Sequence, residues 1–430
     1  MPSRKRMSFR SRRCIAPRVS SALLIRNLSQ IATPIGRAGL RGAAMRKIAV
    51  HEKSVIVVRD GRIDYVGPER RTDFPIPEDF DAKRGTAVPG FVDSHTHLPW
   101  AGFRESEFNR RLQGESYEEI AASDGGIAST VRATRAATEQ QLVDNVLQRA
   151  QTMSRHGTTT AEAKSGYGLN VVDEIKQLRA IRAANENSPV RLVPTCLAAH
   201  DFPPESRGTA YVDQIVDEIL PAVSREKLAV FCDAFVERSA FSREQGERVL
   251  RAGLALGLRP RLHADEFSDS DGAALAATLE AASADHLMHI SEKGIAALAK
   301  SNTVANLLPA TSFFLMSQRY APARALIDAG AIVSLSTDCN PGSSMTESMS
   351  MVMQLATLQM KMTVEESLTA ATLNGAASLG LAYETGSIEA GKRADIVLLD
   401  APNYLHLVYH FGVNLVRDVF RDGTIVARSR

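Results

Sequence analysis

The chain has 430 residues, 44% hydrophobic, 23% charged and 6% aromatic, with a formal charge of +2. At about 150 residues per domain its length suggests two or three domains, although a single (β/α)8 barrel uses about 250 residues by itself. Four dispersed cysteines (Cys14, Cys196, Cys232, Cys339) with no C-x-x-C pair exclude a disulfide framework and a zinc knuckle, and no apolar run approaches the roughly 18 residues that span a bilayer.

The charge is unevenly placed. Residues 1–20 hold seven basic residues and no acid, and the first acid is Glu52. The remainder is mildly acidic and offers no nucleic-acid footprint. The basic, Ser-containing head reads as a transit peptide, an over-extended start or a disordered arm for nucleic acid or membrane. We take it as a disordered extension outside the chemistry. A cytoplasmic protein with neither a nucleic-acid nor a membrane partner is expected.

Short β-like runs follow at Leu23–Ala32, Ile48–Val50, Ser54–Val58 and Arg62–Val66, with Asp60-Gly61 as a hairpin turn. From Gly90 the rhythm changes. Eight strand candidates (Phe91–His97, Thr158–Lys164, Arg191–His200, Ala229–Val236, Arg259–Asp265, Ala284–His289, Thr303–Leu308, Ala331–Ser336) alternate with amphipathic stretches. In Thr138–Arg155, Leu142, Val143, Val146, Leu147, Ala150 and Met153 share one helical face. Thr209–Val223, Ser242–Leu256, Ser268–Ala281 and Ser291–Lys300 are further helices, most opening on a Ser or Thr suited to an N-cap. Eight strands alternating with helices predict a closed parallel barrel. A doubly wound open sheet is the alternative, but no G-x-G-x-x-G follows a first strand. Helices at Thr346–Met360, Val364–Thr372 and Gly375–Gly380 precede β-like runs at Ala394–Asp400, Asn414–Phe420 and Thr424–Ala427. The expected organisation is an α/β barrel over 88–383, inserted into one composite β-sandwich made of 21–87 and 384–430.

A barrel of this kind carries its chemistry at the C-terminal ends of its strands. His95 and His97 end the first strand, and residues i and i+2 of a strand share a face, so both imidazoles can reach one ion. His263 ends the fifth strand and Asp338 the eighth. Three His and one Asp on one rim form a mononuclear set for a borderline transition metal, zinc or iron. Such an ion lowers the pKa of a bound water from 15.7 toward about 7. Asp338 is placed to take the water's proton as well as to bind the ion. Glu266 and His286 are candidates for proton transfer to a leaving nitrogen. His289, at i+3 from His286, is read as structural.

The segments V-P-G-F-V-D-S-H-T-H, H-A-D-E and S-T-D together resemble the metal-dependent amidohydrolase superfamily. That resemblance implies a distorted TIM barrel with a small β-sandwich. It also implies a single divalent or trivalent metal ion and leaves Lys164 to the pocket wall. Within the superfamily the finer resemblance, from Leu23 to the C-terminus, is to the imidazolonepropionase family. Four segments carry it: Leu98-Pro99-Trp100-Ala101-Gly102-Phe103-Arg104, Ala161-Glu162-Ala163-Lys164-Ser165-Gly166-Tyr167-Gly168, Cys196-Leu197-Ala198-Ala199-His200, and Asp338-Cys339-Asn340-Pro341-Gly342-Ser343-Ser344. It implies hydrolysis of the ring amide of 4-imidazolone-5-propionate to N-formimino-L-glutamate in histidine degradation, with Arg104, Tyr167, His200, Glu266, Asn340, Gly342 and Ser343 as substrate contacts. Arg104 suits the propionate, because a carboxylate needs a fork of charged donors. The family also implies a homodimer. An aminohydrolase acting on a cyclic base would share the metal set and Glu266, and is the competing expectation.

Overall fold

The computed structural model describes residues 22–115, 119, 125–206 and 208–428. The basic head and Cys14 lie outside the described residues.

Among the described residues seven strands precede the barrel: β1 (Ala22–Arg26), β2 (Gln30–Pro34), β3 (Ile48–His51), β4 (Val55–Arg59), β5 (Arg62–Gly67), β6 (Glu78–Asp81) and β7 (Thr86–Pro89). The barrel strands are β8 (Phe91–Asp93), β9 (Thr158–Lys164), β10 (Arg191–Ala199), β11 (Phe231–Val236), β12 (Arg259–Ala264), β13 (Ser283–His286), β14 (Val304–Leu307) and β15 (Ile332–Leu335). Three more, β16 (Ile396–Leu399), β17 (Val416–Arg421) and β18 (Thr424–Arg428), follow.

The strands β8 to β15 form one eight-stranded sheet in strict chain order, every pair parallel. Its two ends meet past the last regular residues. Asp338 N donates to His95 O at 3.1 Å, His97 N donates to Cys339 O at 3.0 Å, and Thr96 bridges Cys339 in parallel. The sheet is therefore a nearly closed barrel and not a doubly wound one. The seam is made by the very segments that carry His95, His97 and Asp338.

The remaining strands form two sheets, β5-β4-β1-β6 and β18-β17-β16-β7-β2-β3. The second joins both ends of the chain, because β7 pairs antiparallel with β16 and parallel with β2. Leu23, Ile25, Ile31, Ile56, Ile396 and Phe420 belong to one buried cluster with members from both sheets.

Several expectations shift. The run Leu23–Ala32 is two strands broken at Asn27, whose φ of 58° turns the chain. The strands β6 and β7 were not expected. The first barrel strand stops at Asp93 instead of reaching His97, and the sixth stops at His286, where His286 and Leu287 take positive φ. The expected helix Thr209–Val223 is interrupted by a wider turn at Ile215–Ile219. Of the expected caps, Ser268 lies outside its helix, which starts at Gly272 after Asp271, and Thr209 follows Gly208 at the N-cap, but three are present. Thr138 and Ser242 form reciprocal capping boxes with Gln141 and Gln245, and Ser291 caps Glu292–Lys300. Among the described residues no helix is long and apolar enough to cross a membrane.

Candidate active site

The C-terminal rim of the barrel gathers His95 and His97 beyond β8, His263 on β12, His286 at the end of β13 and Asp338 beyond β15. All five are buried. Ring centroids lie 4.5 Å apart for His95–His263, 5.3 Å for His95–His97 and 5.2 Å for His263–His286. Asp338 Oδ1 is 3.5 Å from His95 Nε2 and 3.4 Å from His97 Nε2. Thr311 Oγ1 holds the other carboxylate oxygen at 2.7 Å.

This group fits a metal ion on its own chemistry. His95 Nε2, His97 Nδ1 and His263 Nε2 are buried ring nitrogens without a hydrogen-bond partner. Orphaned polar atoms in a protein interior are costly, at about 1–3 kcal/mol each. Ligand atoms of His95, His97 and His263 lie within 4.8 Å of one another, as do those of His95, His286 and Asp338. Burial, followed by the positive charge of neighbouring groups, pushes His95 and His97 well below the usual histidine range, so both stay neutral and able to donate a lone pair. The cluster is able to hold a divalent transition metal.

Beneath it lies an ion network inside the barrel. Lys164 Nζ sits 2.8 Å from Glu162 and 2.7 Å from Asp233, and Arg261 Nε sits 3.0 Å from Glu162. All four side chains are fully buried. Asp285 completes the set and bonds His95 Nδ1 at 2.8 Å, while Asp233 Oδ2 lies 3.1 Å from His263 Nδ1. Burial raises the Asp233 carboxyl, but His263 and Lys164 outweigh it and hold it well below the usual range. Lys164 is thus an interior counter-ion behind the histidines and not part of a pocket wall. Carboxylates behind metal-type histidines fix ring orientation and raise basicity. Sequence reading missed Asp233 and Asp285. The signal was there in the i, i+2 pairs Glu162/Lys164 and Arg261/His263, which put charge on the inward face of strands.

Glu266 lies just past β12, with Oε1 3.6 Å from His286 Nδ1. Burial, then the charges of Asp338 and Glu237, pushes its carboxyl well above the usual range. Burial pushes His286 down to about 3. His289 stands apart, its backbone N–H bonded to Asp265 O at 2.8 Å.

The expected substrate contacts line the same rim. His200 stacks on His97 at 5.1 Å, and Tyr167 lies 5.3 Å from His200 and 5.9 Å from His97. Asn340 Oδ1 accepts from Gly342 N and Ser343 N, both at 2.8 Å, folding residues 340–343 into a tight loop. Ser343 Oγ reaches Asp338 Oδ2 at 3.4 Å. At the loop's far side a Cβ on Gly342 would overlap Arg104 Nη1, so a side chain there would push the guanidinium aside. Arg104 Nε is held by Glu107 at 2.8 Å. One short loop therefore spans from the histidine–aspartate cluster to the arginine.

The amidohydrolase family model matches residues 260–426. The imidazolonepropionase of Parabacteroides distasonis is 46% identical over 412 residues, 94% of this chain and 99% of that protein. That of Symbiobacterium thermophilum is 47% identical, over 94% and 97%. Among solved structures, a triazine hydrolase variant superposes with a TM-score of 0.72 at 16% identity, covering 94% of each chain. A 5-methylcytosine deaminase from Klebsiella pneumoniae gives 0.71 at 18%, covering 93% of this chain and 98% of that one. At such identities the structural likeness concerns the fold alone.

Proposed function

Because the chain belongs to the imidazolonepropionase family of amidohydrolases, we propose that this rim opens the ring of 4-imidazolone-5-propionate, hydrolysing its ring amide C–N bond to N-formimino-L-glutamate in histidine degradation. The observation that carries the proposal is the 340–343 loop. It joins a buried His/Asp cluster at one end, through Ser343 and Asp338, to a guanidinium at the other, beside Gly342. A ring amide with a carboxylate tail needs both ends.

His95, His97, His263 and Asp338 would hold a single zinc or iron ion, since three imidazoles and a carboxylate suit either. Bound there, the ion supplies Lewis acidity and a nucleophilic water at neutral pH. The side chains do the rest. Arg104 grips the propionate with the guanidinium edge that Glu107 leaves open. Tyr167 and Ser343 add hydroxyl donors. His200 and the Asn340 loop hold the ring in its plane. His286 presents a ring N–H to the developing oxyanion. Asp338 accepts a proton from water, and Glu266 delivers one to the departing ring nitrogen. We further propose the division into a barrel at 88–383 and a sandwich at 21–87 and 384–430, a homodimeric assembly and a cytoplasmic location.

The test is to mix purified protein with freshly prepared imidazolone propionate, follow the loss of its ultraviolet absorbance, and assay ammonia. Ring opening without ammonia is expected. Ammonia released from a cyclic base, with the imidazolone untouched, would replace this reading by an aminohydrolase.

A further inference from the structure

The loop after β9 is built by two side chains that the proposed chemistry does not use. The helix Val171–Asn185 packs Glu174 and Gln177 inward, both fully buried. Glu174 Oε2 accepts from Gly166 N at 3.1 Å, and its Oε1 accepts from Gly168 N at 2.8 Å and Leu169 N at 2.9 Å. Gln177 Oε1 accepts from Tyr167 N at 3.1 Å, and its Nε2 donates to Pro99 O at 2.8 Å. Four consecutive amides are thus captured by one helix face. With every donor turned toward the helix, the Gly166 carbonyl is left pointing the other way. It meets His200 Nδ1 at 2.9 Å. Gly166 sits at φ +113°, and a Cβ there would come within 3.0 Å of that same ring nitrogen. The glycine is what permits the approach.

A carbonyl oxygen only accepts, so His200 Nδ1 must carry the proton. In the neutral ring Nε2 is then a lone pair. The ring lies among those of His97, Tyr167 and His263, on the site's rim.

We infer that Glu174 and Gln177 are positioning residues for substrate recognition: by holding the 166–169 amides between them they aim the Gly166 carbonyl at His200, which therefore meets the ring through Nε2 as an acceptor only and selects a cyclic amide bearing an N–H at that edge. The identity of that ring rests on the function proposed above; the tautomer does not.

Two measurements separate these. The first is the 15N spectrum of histidine-labelled wild-type protein, with the His200 signals assigned by their loss in His200→Gln. The Nδ1–H, Nε2-lone-pair tautomer is expected, and an Nε2–H tautomer overturns the inference whatever the substrate proves to be. The second is Glu174→Gln, which keeps the side-chain shape but turns an amide donor toward backbone N–H groups. Loss of one aligned hydrogen bond to the substrate predicts about a tenfold rise in KM with kcat and metal content near wild type, together with a mixed His200 tautomer. A variant with wild-type tautomer and wild-type KM overturns the inference. If Glu174→Gln fails to fold, Gly166→Ala replaces it, displacing His200 from the loop side with the same expected readouts. Wild-type protein inert toward imidazolone propionate but showing the Nδ1–H tautomer would fail the functional proposal and leave this one standing.

Discussion

The contact between Gly342 and Arg104 allows a test of the proposed carboxylate clamp that does not remove the clamp. In Gly342→Ala the new methyl group overlaps Arg104 Nη1 and lies 3.0 Å from Cζ. The backbone at 342 does not need the left-handed region, so alanine itself is unstrained. The arginine must give way, yet its Nε is tethered to Glu107 at 2.8 Å, with only 12% of the side chain exposed. A displacement of about 1 Å in a positioning group costs on the order of 100-fold. We therefore expect kcat/KM for imidazolone propionate to fall about 10- to 100-fold in Gly342→Ala, chiefly through KM, because the tail is gripped alike in ground and transition states. Arg104→Ala loses the charge-assisted bonds outright, about 1.5–3 kcal/mol each. A net loss of about 3 kcal/mol is roughly 150-fold. The informative variant is the double one. Where Arg104 is already alanine, the added methyl has nothing to displace, and Gly342→Ala should cost almost nothing more. Steady-state kinetics on the four proteins measure the cycle. Losses that multiply in the double variant would refute the argument, because they would mean that position 342 acts on the substrate by a route independent of the arginine.

Two further outcomes follow from buried groups away from the rim. Glu366 caps the helix Val364–Thr369 and is bonded by Arg46, Arg324 and the Thr363 amide at 2.8–3.0 Å. Burial raises its carboxyl, but the Arg324, Thr363 and Arg46 hydrogen bonds together pull it below 4.5. The stabilisation is therefore complete above the unfolded value and is lost as pH falls through the lowered folded value. Glu366→Gln should lower stability by about 1–3 kcal/mol at pH 7, and the difference should shrink in acid; denaturant midpoints at pH 7 and pH 3.5 check it, and a gap that widens in acid contradicts it. Burial pushes the Cys196 thiol up to about 12 and raises Cys232 and Cys339 as well. At pH 8 a thiol-specific disulfide reagent should leave all three unmodified in the folded protein and label them on unfolding; rapid native labelling of more than one thiol per chain, the allowance for Cys14, contradicts this.

The parts of this protein that could be read from sequence are those whose physics is local. The barrel strands are short β-rich runs bounded by polar segments, and the N-caps Thr138, Ser242 and Ser291 announce their helices. The strand Thr86–Pro89 escaped because four residues ending in proline carry little pattern, and its pairing with Ile396–Leu399 is settled some 310 residues further on. The helix Val171–Asn185 escaped because its inner face buries Glu174 and Gln177, which disrupts the apolar periodicity that betrays other helices. At the site, strand-end histidines and Asp338 were legible because a barrel fixes where strand ends go. What holds them was not legible. Asp285 reaches His95 from a strand 190 residues away, and Asp233 reaches His263 across a strand pair. Charge that is stable only when three or four strands bring counter-ions together has no local signature beyond the alternation of Glu162 with Lys164 and of Arg261 with His263.

His95, His97, His263 and Asp338 are proposed to make one cation site on which hydrolysis depends. Protein stripped with a chelator is to be titrated with zinc or ferrous ion, measuring bound metal and ring-opening rate at each step, alongside His95→Ala and His263→Ala. We expect the rate to rise in proportion to bound metal up to one ion per chain, and both variants to lose the ion and the activity together. Full ring opening by stripped protein, or wild-type metal content in both variants, would contradict the account.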